Sequence, residues 1–256
     1  MKHAAAIAGL FLTLAFGGSP AAHAQNPSAL PPVPKPCEAV GVQVTSSTSP
    51  LPNVAAALKD RKKITILAIG STSGSLRGPA SAGNYGIVEK YLEDNFKGLD
   101  VNIVHRGVSG ELATDASGRI KNEVALTSAD LVLWQLGTAD AMAQVPVADF
   151  YVAVKDTLGW LRERKVDVIL VGLRYARTMA GDLHYQAMRT AIREVAKEQN
   201  VIRISRYEAE ETLQKIKQQP DAATPADSEA AYACMAEYLA RAIAAALFVR
   251  DTPTKR

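Results

Sequence analysis

The chain has 256 residues and carries 29 Lys and Arg against 26 Asp and Glu, a net charge of +3. A balance this even, with no dense basic run, excludes the electrostatic footprint by which proteins hold nucleic acid. An apolar share of 48% and this length fit one domain with a full core.

Residues 1–24 read as a cleavable export signal: Lys2 and His3, an apolar stretch through Phe16, then Ala22-His23-Ala24 ahead of Gln25. That stretch is about a dozen residues, and a membrane-spanning helix needs roughly 20. No later stretch is long and apolar enough to span a bilayer. The expected location is therefore periplasmic or secreted, with cleavage after Ala24 and no membrane span. The two cysteines, Cys37 and Cys234, both fall in the exported part, where an oxidising compartment favours a disulfide. The alternative is a buried thiol at Cys234 and an exposed one at Cys37.

Residues 25–62 are rich in Pro, Ser and Ala and lack sustained periodicity. They read as an extended arm with one short helix near 54–58. From residue 63 to about 250 the pattern is that of a single domain. Five short apolar runs, at 64–69, 101–104, 131–136, 168–171 and 201–204, are too continuous for half-exposed strands and predict strands buried on both faces. Between them lie stripes at spacings of three and four: Tyr85, Val88, Leu92 and Phe96; Val147, Phe150, Val154, Leu158 and Leu161; Tyr185, Met188, Ile192 and Val195; then Tyr232, Met235, Leu239, Ile243 and Leu247. Strands alternating with helices predict an α/β fold, a parallel five-stranded sheet sandwiched between two helical layers. Ligands of such sheets sit beyond the carboxyl ends of the strands. The charged runs at 161–165 and 203–206 read as solvated faces.

Three loops at those carboxyl ends carry motifs: Gly70-Ser71-Thr72, Gly107-Val108-Ser109-Gly110-Glu111, and Gly137-Thr138-Ala139-Asp140. With Tyr232 opening the last helix, their order and spacing over residues 63–248 resemble the SGNH (GDSL-type) hydrolases. The resemblance implies a flavodoxin-like α/β/α sandwich and hydrolysis of esters on lipids, sugars or small acyl substrates. It places Thr72 at the nucleophilic serine, with Gly110 supplying an oxyanion N–H. It places Ala139 where the family has its oxyanion-holding asparagine, and Ala226 where it has its histidine. Threonine keeps the hydroxyl but its methyl restricts χ1, and Ser71 and Ser73 flank it as fallback nucleophiles. The same Ser/Gly-rich segment also reads simply as a turn. Losing one oxyanion donor costs about 3–4 kcal/mol of transition-state stabilisation. Asp140, a carboxylate, would repel an oxyanion and reads as a loop cap.

Counting back from Tyr232, the family's Asp-x-x-His falls on Ala223 and Ala226, and a slip of one or two residues brings in Asp221 or Asp227 but no histidine. Thr224, Pro225 and Asp227 instead read as a helix start. Beyond the leader only His105 and His184 remain. His105 is expected at the end of the second strand, and His184 in the first turn of a helix two residues after Asp182. Each reads as a fallback base or as an ordinary structural histidine. No cluster has metal-ligand spacing, and neither a P-loop nor a dinucleotide-binding glycine fingerprint occurs, so no cofactor is expected. These residues together imply an exported, catalytically degenerate hydrolase that binds a carbohydrate, acyl-ester or cell-envelope ligand. The alternative is a rewired esterase using Thr72, Ser71 or Ser73 with His184 or His105. A third reading is a structural envelope protein with a filled cleft.

Overall fold

The computed structural model describes residues 32–38, 49–71, 85–217 and 228–247. In chain order the elements are α1 (Lys35–Glu38), α2 (Pro52–Asp60), β1 (Lys63–Ser71), α3 (Tyr85–Asn95), β2 (Asp100–Val108), α4 (Ala113–Thr127), β3 (Leu131–Gln135), α5 (Thr138–Met142) and α6 (Val147–Glu163). They continue with β4 (Asp167–Val171), a 3₁₀ turn (Arg177–Met179), α7 (Leu183–Glu198), β5 (Ile202–Ile204), α8 (Arg206–Lys217) and α9 (Ser228–Ala246). All five apolar runs are strands, and they pair in parallel in the order β2-β1-β3-β4-β5.

Period-two alternation divides the strand residues between two cores. Ile64, Ile66 and Ala68 of β1, with Leu131 and Leu133 of β3, face α3 and α9. Leu67 and Ile69, with Val132 and Trp134, face α4, α6 and α7. The result is the expected three-layer α/β/α sandwich, with the order of β1 reversing between β2 and β3 so that ligand-accessible loops gather beyond the end of β1.

The packed body begins earlier than residue 63. Within the stretch expected as an extended arm, Cys37, Leu51, Val54 and Ala57 are buried in the α3/α9 core. The reason is polar as well as apolar. The first turn of α2 presents its Asn53 and Val54 amides to Asp167 Oδ2, each at 2.9 Å, while Asn53 Nδ2 reaches Oδ1 at 2.6 Å. A carboxylate at the amino end of β4 thus satisfies the orphan donors at the start of α2. Further upstream, Cys37 is bonded to Cys234 of α9 across 197 residues of sequence. Tyr238 donates to the Cys37 carbonyl one turn away, and Arg241 donates to the Pro32 carbonyl at 2.9 Å. The disulfide is therefore the observed state of the two cysteines.

Candidate functional site

Each motif loop leaves the carboxyl end of a strand, and each is held by contacts specific to its residues. Gly70 precedes the last residue of β1, at φ +106°, and a Cβ there would lie 2.0 Å from the Gln135 carbonyl oxygen of β3. Only glycine lets β1 and β3 approach this closely at their carboxyl ends. Ser71 closes β1 opposite Val108 of β2. Thr72 and Ser73 lie outside the described residues.

The second loop is clamped at both ends. Glu111 is buried and takes Arg119 of α4 in a two-pronged pair, at 2.6 and 3.0 Å. Arg119 Nη2 also donates to the Arg106 carbonyl at 2.6 Å, so one guanidinium spans the loop from the residue before it to its last. At the far end, Ala113 N donates to Asp140 Oδ1 at 2.8 Å. Between these anchors Gly110 adopts φ +73° and is exposed, with its N–H committed to no acceptor among the described residues. That is the condition an oxyanion donor requires.

Asp140 ties the second loop to the third. Its other oxygen, Oδ2, accepts the Gly137 amide at 3.1 Å. The side chain is almost wholly buried (1% exposed), and burial pushes its carboxyl above the usual range even though the amides of Ala113 and Gly137 pull the other way. The capping role expected for this residue is thus what it performs, across two loops rather than one. Ala139, immediately before it, is part-exposed and carries only a methyl group.

The two histidines stand in different settings. β2 runs on to Val108, so His105 lies three residues inside the strand and not at its end, about 10 Å short of the carboxyl edge at strand rise. It pairs with Ala68 and its ring packs 5.5 Å from that of Tyr85, on the α3 side of the sheet. His184 does occupy the first turn of α7, whose N-cap Asp182 accepts from Tyr185 N. Its Nε2 is buried and has no hydrogen-bond partner among the described residues. Ala226, and the Asp221, Ala223, Thr224, Pro225 and Asp227 around it, lie outside the described residues.

A second polar group at the carboxyl edge escaped the sequence reading. Arg203 and Arg206, expected on a solvated face, are 7% and 1% exposed. They lie against α7 and α8 with Glu208 and Glu210 as partners. The signal available was weak, because an arginine at the last turn of a strand looks the same in sequence whether its guanidinium turns inward or outward. The opposite edge of the sheet holds a cavity of ≈ 440 Å³ lined by residues at the starts of α2, β4 and β5, Asn53, Asp167 and Val201 among them. It is separated from the motif loops by the length of the strands, so the chemistry does not belong there. Among the described residues no helix is long and apolar enough to cross a membrane, and no three His, Cys, Asp or Glu converge to hold a metal.

Comparison with known proteins agrees with this fold. The family model of the non-GDSL lipase-like family matches residues 36–248. Among solved structures, the fold is similar to that of Axe2, an acetylxylan esterase from Geobacillus stearothermophilus, with 18% identity and a TM-score of 0.54 over 73% of this chain and 97% of that one. It is similar also to TesA, with 20% identity and a TM-score of 0.54 over 68% and 95% of the two chains. At these identities the likeness is one of fold. No curated protein matches the sequence.

Proposed function

The chain belongs to the non-GDSL lipase-like family, with the SGNH/GDSL-type hydrolase fold, and on that premise we propose that it is an exported pseudo-hydrolase that binds an acylated or carbohydrate ligand of the cell envelope. The observation that carries this reading is the contrast at Ala139 and Asp140. The carboxylate that fixes the geometry of two loops is kept, fully hydrogen-bonded, while its neighbour has no amide to hold an oxyanion. A framework maintained to this degree, without the group it would present, suits holding a ligand better than turning one over.

The placement of His105 supports the same reading. Acyl transfer needs a base within hydrogen-bond reach of the nucleophile, whereas His105 is interior to β2 with its ring against that of Tyr85. The Gly110 N–H, which has no acceptor among the described residues, and the exposed side chains of Val108 (46%) and Met142 (68%) fit a cleft lip that meets a ligand with both a carbonyl oxygen and an apolar part. The related fold of an acetylxylan esterase supports acylated sugar as the ligand class, and the disulfide suits an oxidising compartment.

The test is an assay of purified protein against p-nitrophenyl acetate and acetylated sugars, with Thr72→Ala alongside. No turnover above the buffer rate is expected from either. Turnover that Thr72→Ala abolishes would replace this reading with that of a rewired esterase.

A further inference from the structure

The cavity at the amino edge of the sheet encloses ≈ 440 Å³, the volume of about 15 waters. Sites for small molecules run from roughly 300 to 1,000 Å³, so the space is of that class. Its floor and its mouth differ in chemistry. Leu51, Leu158, Val166 and Val168 line it and are buried. Leu51 belongs to the α3/α9 core and the other three to the core on the opposite face, so both cores come to the surface here. Arg162, Glu198 and Asn200 also line the cavity, and all three are exposed. The spacing accounts for part of this: Leu158 and Arg162 are four apart on α6 and share one face, one turn from each other.

The walls are tied to one another as well as to their own elements. Ser49 Oγ donates to Asn200 Oδ1 at 3.0 Å, joining the approach to α2 with the turn before β5. The Asn53 and Val54 donors join α2 to Asp167 of β4. Arg162 Nη2 donates to the Gln199 carbonyl at 2.8 Å and to Gln199 Oε1 at 3.0 Å, joining α6 to the same turn. Side chains cross-linked in this way keep their places without a ligand. The same bonds show what each polar group has left to offer. Asp167 already accepts three N–H groups from α2. Glu198 is met by Lys155 at 2.7 Å and by the Tyr151 hydroxyl. Both carboxylates are therefore answered. Arg162 keeps Nη1, and Asn200 keeps Nδ2, with no acceptor for either among the described residues.

We propose that this cavity is a second binding site, for a small apolar monocarboxylate such as a branched-chain or aromatic acid. The hydrocarbon part sits on the buried floor, and the carboxylate meets Arg162 Nη1 and Asn200 Nδ2 at the mouth. Arg162 holds Gln199, the neighbour of Asn200, so the two donors belong to one rim. A guanidinium donor to a carboxylate makes a bond roughly twice as strong as a neutral pair. A sugar is a poorer fit, because its hydroxyls would lie against aliphatic side chains that offer them no partner. A second carboxylate is disfavoured too, since Lys155, the nearest other cation named here, is held by Glu198. The site stands at the far end of the strands from the motif loops and does not rest on the reading of the cleft.

The experiment is NMR titration of the isotopically labelled chain with isovalerate and benzoate, and with the isosteric amides isovaleramide and benzamide. At least one acid is expected to shift the backbone amides of Leu51, Asn53, Asn200 and Val201, and to bind about tenfold or more tighter than its own amide. Arg162→Gln should erase that preference and leave acid and amide equal. Acids that move none of these amides, or that move only those of residues 107–111 and 137–140, would overturn the proposal. So would equal affinity for acid and amide in the native chain, or an Arg162→Gln variant that keeps the preference. Arg162 is exposed, so the substitution leaves the core intact. Should the variant nevertheless fail to fold, the comparison of acid with amide on the native chain decides the matter alone.

Discussion

Asp140 and Ala113 are 27 residues apart in sequence, yet the carboxylate of one accepts the amide hydrogen of the other at 2.8 Å. Through its second oxygen, Asp140 also accepts from Gly137, so the loop after β2 and the loop after β3 share one buried anchor. Asp140→Ala strands two buried N–H groups at about 1–3 kcal/mol each. We expect a loss of about 2–5 kcal/mol in urea unfolding, with an unchanged slope against denaturant. A loss under 1 kcal/mol would show that water replaces the carboxylate and that the loops are not coupled through it.

The motif glycines are required for different reasons, and substitution separates them. Gly70→Ala drives a methyl group to 2.0 Å from a backbone carbonyl of the adjacent strand, which overpacks the sheet and strains a positive φ. Together these cost about 3–5 kcal/mol. At Gly110 nothing lies within 4 Å of the new atom, so Gly110→Ala pays only for left-handed backbone, about 1–2 kcal/mol. Thermal unfolding of the two variants measures the gap, and equal losses would refute the close approach of β1 to β3.

How much of this was legible in the chain follows from what each residue buries. The central strands were readable because both their faces are covered, so Ile66, Leu67, Ala68 and Ile69 run on without polar interruption. The helix α4 was not, because its inward positions include Ala113 and Ala116 ahead of Ile120 and Val124, and small residues leave a faint stripe. The aspartate of the third motif was legible as a loop cap, and Asp140 does cap. The brace of Glu111 to Arg119 was not, since a pair eight residues apart has no local signature and acquires meaning only when α4 folds back along the loop. Burial of Arg203 and Arg206 was hidden for a related reason: their partners, Glu208 and Glu210, lie on the following helix and read as its solvated face.

The Cys37–Cys234 bond fastens the N-terminal segment to α9. Closing so long a loop restricts the unfolded chain, and removal of such a bond typically costs about 2–5 kcal/mol. The double variant Cys37→Ser, Cys234→Ser is expected to unfold at correspondingly lower urea, and the native chain should reach the same midpoint once reduced. Native and doubly substituted chains that unfold together under oxidising conditions would show that the segment contributes no stability to the domain.

Asp167 gives the fold a pH dependence opposite to that of most carboxylates. Burial pushes its pKa up to about 6 from 3.8, and the neighbouring Asp130 adds to the rise, against the opposing pull of the Asn53 and Val54 donors. The folded state therefore holds this proton more tightly than the unfolded chain does. The stability contributed by that preference is fully present below about pH 4 and is lost as pH rises through about 6. At 1.36 kcal/mol per unit, the amount is on the order of 3 kcal/mol. Asp167→Asn does not titrate, so the variant should be less stable overall, yet its unfolding free energy should fall less between pH 4 and 7 than that of the native chain. Parallel curves for the two proteins would mean that Asp167 is ionised throughout, with its three N–H donors outweighing the cost of burial.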